Sequence, residues 1–165
     1  ERWIIKPVEM ENQIKHGIKV FLFIDDFLGT GNQFSTLITS EKLSQFLSSI
    51  YAAYIPLTAH KEGINNLRDK FNNLRVTAVE ILDDTHSLFH KNCNCFKDGK
   101  NNHISAREFY CNLLKVKNIN IKTDLRQGFF GDLELAYIFS HAAPNNCLPI
   151  LWWKETPTWY PLFDR

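Results

Sequence analysis

At 165 residues the chain is long enough to bury a sizeable core and fits one domain. Its 13 Phe, 5 Tyr and 4 Trp supply ample core material, and a net charge of +1 argues against a protein whose main task is gripping nucleic acid through its phosphates. No apolar run reaches the length of a membrane span and no signal peptide is visible. The four cysteines have no paired, disulfide-like spacing, so a reduced, cytoplasmic protein is expected.

Residues 1–17 mix Trp3, Ile4, Ile5 and Pro7 with a polar stretch and read as a strand or arm followed by a helical turn. A strand is expected over about 18–24, where five apolar residues, 20–24, run into two acids, Asp25 and Asp26. A continuous apolar run bounded by a turn signal predicts a strand buried on both faces, with the acids at its carboxyl end. Ligands of open α/β sheets bind at such ends.

The turn that follows is Gly29-Thr30-Gly31-Asn32-Gln33. Gly29 and Gly31 let the backbone come close to a ligand, and successive N–H groups can form a nest for an anion. The helix behind adds its N-terminal dipole and unpaired N–H groups. Thr30 offers a hydroxyl donor, and the Asn32 N–H falls where it can reach the same anion. Two adjacent carboxylates do not hold a phosphate. They suit vicinal sugar hydroxyls or a hydrated Mg²⁺ riding on a pyrophosphate. The pattern describes a ribose 5-phosphate unit with a metal.

This run resembles the phosphoribosyl pyrophosphate loop of the type I phosphoribosyltransferases. Their signature is four apolar residues, two acids, two variable residues, a small residue, Thr-Gly, one further residue and Thr. Asp25, Asp26, Gly29, Thr30 and Gly31 match, while Gln33 stands where the family usually has Thr or Ser. The resemblance implies phosphoribosyl pyrophosphate as ligand, Mg²⁺ as cofactor, Asp25 and Asp26 as catalytic and metal-proximal residues, and Gly29 to Gln33 as the phosphate loop. In that family the loop comes later in the chain, after a pyrophosphate-binding loop with no equivalent in residues 1–17. The sequence is therefore expected to be the C-terminal part of a longer protein.

Further on, Phe34, Leu37, Ile38, Leu43, Phe46, Leu47 and Ile50 predict a helix over about 32–50. A second strand follows at 51–57, then an amphipathic helix at 61–73 with Ile64, Leu67 and Phe71 on one face. A third strand is expected at 74–82, ending in Asp83 and Asp84 with Thr85 as a helix N-cap. The alternation predicts a mostly parallel α/β sheet with flanking helices, doubly wound. The resemblance makes it phosphoribosyltransferase-like, or Rossmann-like.

Residues 91–102 are polar and Asn-rich and read as a mobile loop. His86, His90, Cys93 and Cys95 offer four zinc-type donors, but the one-residue cysteine spacing is unlike a zinc knuckle, and exposed loop residues are the preferred reading. A helix is expected at about 104–117 with Ser105 as N-cap, followed by Gly128-Phe129-Phe130-Gly131-Asp132 and an apolar segment at 133–140.

The tail carries His141, Pro144-Asn145-Asn146, Leu148-Pro149 and Trp152. Pro144 and the two Asn predict a turn. The Trp152, Trp153 and Trp159 group is read as core or a partner surface ahead of a base-stacking platform. This tail looks like that of phosphoribosyltransferase-like proteins in bacterial conflict and antiphage systems, some beside retrons. The resemblance implies a toxin-like effector acting on a nucleotide or nucleic acid, with His141, Asn145 and Asn146 as additional ligand contacts. The alternative is a non-catalytic nucleotide-sensing or protein-interaction module that keeps the fold. A P-loop NTPase is excluded, because no Gly-Lys-Ser/Thr follows the strand.

Overall fold

The computed structural model describes residues 3–122, 128, 133–154 and 156–163. The chain forms two compact units, residues 1–81 and 82–165. In the first, an extended arm leads through a short turn at Pro7–Glu9 into α1 (Met10–Lys15). Gly17, at φ 89°, closes the helix as its N–H reaches Ile14 O and the Ile18 N–H reaches Gln13 O. Then come β1 (Val20–Leu28), α2 (Asn32–Ser40), β2 (Tyr51–His60), α3 (Lys61–Lys70) and β3 (Leu74–Val76). β1 and β3 each pair with β2 in parallel, in the order β1-β2-β3. This is the expected α/β architecture, a parallel sheet with flanking helices. The described strands wind in one direction, and the reversal of a doubly wound sheet is not among them.

The core of this unit lies between one sheet face and the helices. Phe21, Ala52, Tyr54, Leu74 and Val76 cluster with Phe34 and Ile38 of α2, Ile64 and Leu67 of α3, and Met10 of α1. The outer face of β1 differs from expectation. Val20, Leu22 and Ile24 are 59, 56 and 78% exposed. Among the described residues β1 has a strand neighbour only in β2, and its side chains alternate between the helix-covered face and an open one.

Three boundaries also move. β1 runs on through both acids to Leu28, because β2 offers ladder partners as far as Leu28↔Ala59. The helix expected over 32–50 stops at Ser40. The hydroxyls of Thr36, Thr39 and Ser40 bond back to carbonyls of their own helix, Lys42 adopts φ 54°, and a short turn covers Leu43–Phe46. The strand expected over 74–82 is interrupted after Val76, whose carbonyl accepts from Arg68 Nη2 of α3 at 3.0 Å. It resumes as β4 (Glu80–Leu82), which also pairs with β2.

The second unit is built around α4 (His103–Val116). Its N-cap is Asn102, three residues before the expected Ser105. Asn102 Oδ1 accepts from the Ile104 and Ser105 N–H groups at 2.9 and 3.0 Å, and Ser105 returns a bond to the Asn102 N–H. Tyr110 and Leu114 pack with Phe89, Ile119, Ile121, Leu148 and Ile150. Leu135 bridges to Ser87 on one side and Cys147 on the other. Residues 91–102 hold no helix or strand; Asp98 Oδ1 accepts from the N–H groups of Lys100 and Asn101 there. Phe129, Phe130, Gly131 and Asp132 lie outside the described residues. No described helix is long and apolar enough to cross a membrane.

Candidate functional site

Alternation along β1 puts Asp25 on the helix-covered face and leaves Asp26 exposed. On the covered face Asp25 meets Tyr54, whose hydroxyl donates to Asp25 Oδ2 at 2.8 Å. Tyr54 is itself fixed by Phe34 of α2, stacked on it at 4.0 Å and 17°, and Phe23 meets Phe34 edge-on at 5.2 Å. The Asp26 N–H donates to Asp25 Oδ1 at 3.0 Å. Burial holds the Asp25 carboxyl above the usual carboxylate range, and the Asp26 charge adds to this. The Tyr54 hydroxyl and the Asp26 N–H pull the other way. Tyr54 is pushed well above the ordinary phenol range by burial and then by Asp25.

The two acids are consecutive in β1, joined through the Asp26 N–H to Asp25 Oδ1, and the Asp26 charge is felt at Asp25. Neighbouring carboxylates welcome a positive or hydroxylic group beside them. The donor set is hard oxygen, which fits Mg²⁺. Among the described residues no group of three or more His, Cys, Asp or Glu is placed to hold a metal. A cation here would therefore draw its other ligands from water and from a bound phosphate.

Directly behind the acids, Gly29, Thr30 and Gly31 are buried. Gly31 is the N-cap of α2 at φ 87°, a left-handed conformation that an L side chain strains to adopt. It caps with no side chain, and the first α2 turn holds no acid. The first amide to close onto the helix is Ser35, donating to Gly31 O at 2.9 Å. The N–H groups of Asn32 and Gln33 precede it, and both residues are exposed. Thr30, expected to offer its hydroxyl, is only 6% exposed, and its carbonyl accepts from Asn66 Nδ2 at 3.0 Å. The open part of the cradle is thus Asn32 and Gln33.

Three residues that the sequence reading passed over hold this arrangement. Tyr54 orients Asp25. Asn66 ties the loop to α3. Gly63 lets α3 come against the loop: a Cβ there would lie 2.0 Å from Gly29 O. A glycine in the first turn of an amphipathic helix was the available signal, since it lowers helix propensity without forming a cap.

In the second unit, Asp83 caps the turn Asp84–His86 through Thr85, taking both its N–H and its hydroxyl. The cap is therefore Asp83, where Thr85 was expected, because the aspartate can accept both donors at once. His86 bonds to the Asp83 N–H, and His90 Nε2 lies 3.6 Å from Asp84 Oδ2. The four zinc-type donors are not gathered into a metal site.

In the tail, His141 is exposed and stacks on Phe139 at 5.3 Å. Asn145 and Asn146 form the expected turn, closed by the Cys147 N–H on Pro144 O. Asn146 is buried, and its carbonyl accepts from the Leu135 N–H. Asn145 Oδ1 is buried with no hydrogen-bond partner among the described residues, a feature the turn does not account for. Trp153 and Trp159 pack against the core around α4, and Trp152 is buried.

A model of the family PRTase-CE matches residues 1–165. No curated protein and no solved structure matches the chain. The chain belongs to the PRTase-CE family and is a phosphoribosyltransferase-like domain.

Proposed function

We propose that this PRTase-CE chain binds phosphoribosyl pyrophosphate at the β1–α2 loop and transfers its ribosyl phosphate. The observation that carries the reading is the consecutive Asp25–Asp26 pair near the end of β1, followed by an α2 N-terminus that has no side-chain cap. The N–H groups of Asn32 and Gln33, both exposed residues in the first turn of α2, would receive the 5-phosphate. The two carboxylates would receive the ribose hydroxyls and stand beside Mg²⁺. Bound with the ligand, Mg²⁺ would neutralise charge on the pyrophosphate. An acceptor nitrogen or oxygen attacks the anomeric carbon as the bond to pyrophosphate breaks. The carboxylates favour the positive charge that develops on the ring. The acceptor class we assign is a nucleotide or nucleic acid, with the product serving bacterial antiphage defence alongside other proteins of a defence complex. That last step rests on the tail resemblance at His141, Pro144-Asn145-Asn146 and Trp152.

Calorimetric titration with phosphoribosyl pyrophosphate, with and without Mg²⁺, tests the site against ribose 5-phosphate and ATP. Mg²⁺-dependent selectivity for phosphoribosyl pyrophosphate is expected. Preference for ATP would overturn it in favour of a nucleotide-sensing module. Unchanged binding by Gly31→Val, which fills the loop against Leu67 and Gly63, would remove the phosphate nest.

A further inference from the structure

Two of the four cysteines, Cys93 and Cys95, stand one residue apart in the loop after the Asp84–His86 turn. Their backbone is fixed on both sides. The Cys93 N–H donates to His90 O at 3.0 Å, and the Asn94 N–H donates to Thr85 O at 2.9 Å. The Cys95 N–H donates to Cys93 Sγ at 3.5 Å, so the Cys93 sulfur turns back onto Cys95. Cys95 is exposed and Cys93 half-buried. The other two cysteines are differently employed: Cys147 is buried and donates to Tyr137 O, and Cys111 lies on α4 against the core. No third metal-type ligand completes a site around the pair among the described residues.

We propose that Cys93 and Cys95 form a redox-active dithiol that closes to an intrachain disulfide when it meets a low-molecular-weight disulfide such as oxidised glutathione. The exposed Cys95, as its thiolate, attacks one sulfur of the small disulfide. A mixed disulfide forms and one small thiolate leaves. The Cys93 thiolate then attacks the Cys95 sulfur, the Cys93–Cys95 bond forms, and the second small thiolate leaves. The two thiol protons end on the two expelled thiolates, and the protein gives up two electrons to the small disulfide.

The electrostatics favour closure. Burial, then contact with Cys93, holds the Cys95 thiol above its ordinary range, and Lys97 offsets this only in part. Dithiols become strong oxidants when their reduced, thiolate form is stabilised. At Cys95 that stabilisation is weak. The ring that closes contains Asn94, whose N–H is bonded to Thr85 O, so oxidation acts on the turn that Asp83 caps.

The test uses the full chain, reduced and then equilibrated in glutathione buffers of graded ratio, with free thiols trapped by alkylation. Trypsin cuts after Lys91 and Lys97, so both cysteines fall in one peptide, residues 92–97. That peptide is expected to lose the mass of two hydrogens and resist alkylation as the buffer becomes oxidising. Cys111 and Cys147 should stay alkylatable after denaturation. In Cys93→Ser the mixed disulfide at Cys95 should persist. Phenylarsine oxide, which bridges only neighbouring thiols, should be retained by the parent chain and lost from that variant. A stable mixed disulfide in the parent chain, full alkylation of both thiols in oxidising buffer, or pairing of Cys95 with Cys111 or Cys147 would overturn the proposal.

Discussion

Gly63→Ala is a perturbation whose sign separates a local from a tertiary account of α3. Judged as a helix position alone, alanine should stabilise the fold by about 1 kcal/mol. The tertiary contacts reverse this. The added Cβ would sit 2.0 Å from Gly29 O, 2.9 Å from Gly29 C and 3.0 Å from Leu28 Cγ. Clearing even 3.0 Å from the carbonyl oxygen demands a displacement of about 1 Å, and the atom that must move is backbone, not the tip of a flexible side chain. Overpacking of this kind costs about 1–3 kcal/mol, and more where backbone must shift. We expect a net loss of about 2 kcal/mol, which is a fall in Tm of about 4–8 °C for a chain of this size. Because the displaced atom belongs to the candidate phosphate loop, affinity for phosphoribosyl pyrophosphate should fall as well. Thermal unfolding by circular dichroism, paired with calorimetric titration, reads both effects. A Gly63→Ala protein that melts higher than the parent would refute the close approach of α3 to Gly29.

Three further outcomes are expected. Asp25→Asn should abolish ligand binding yet stabilise the unliganded fold at neutral pH. The folded pKa is raised, so this group's contribution is full at low pH and is lost as pH rises from about 3.8 through the folded value. Urea titrations across that range should show the parent's slope flattened in the variant, and an unflattened slope would count against it. Tyr54→Phe removes the donor that lowers Asp25, so the Asp25 pKa should climb further and stability should fall by about 1 kcal/mol; a carboxyl NMR titration showing no change would contradict the pairing. Asn102→Ala deletes the cap of α4 and should cost about 1 kcal/mol in urea denaturation, with binding at the β1–α2 loop untouched.

What the sequence determined alone is the part of the molecule written in short-range pattern. The apolar run, the acid pair and Gly29-Thr30-Gly31 announce a strand, a turn and a helix start, because burial on a strand and helix entry at a glycine are decided within a few residues. The faces of α3 and the Pro144-Asn145-Asn146 turn follow for the same reason. The boundaries that moved were settled by partners. β1 continues past Asp25 because β2 extends its ladder, and the third strand breaks where Arg68 takes the Val76 carbonyl.

The environment of the site belongs to tertiary structure. Asp25 gains its donor from Tyr54, 29 residues away, and Thr30 gains Asn66, 36 residues away. The helix-propensity penalty of Gly63 makes sense only once α3 is seen lying against Gly29. Periodicity reports which face of an element is buried. It cannot report which distant side chain arrives there, and that arrival is what sets a carboxyl's protonation and a loop's reach toward its ligand.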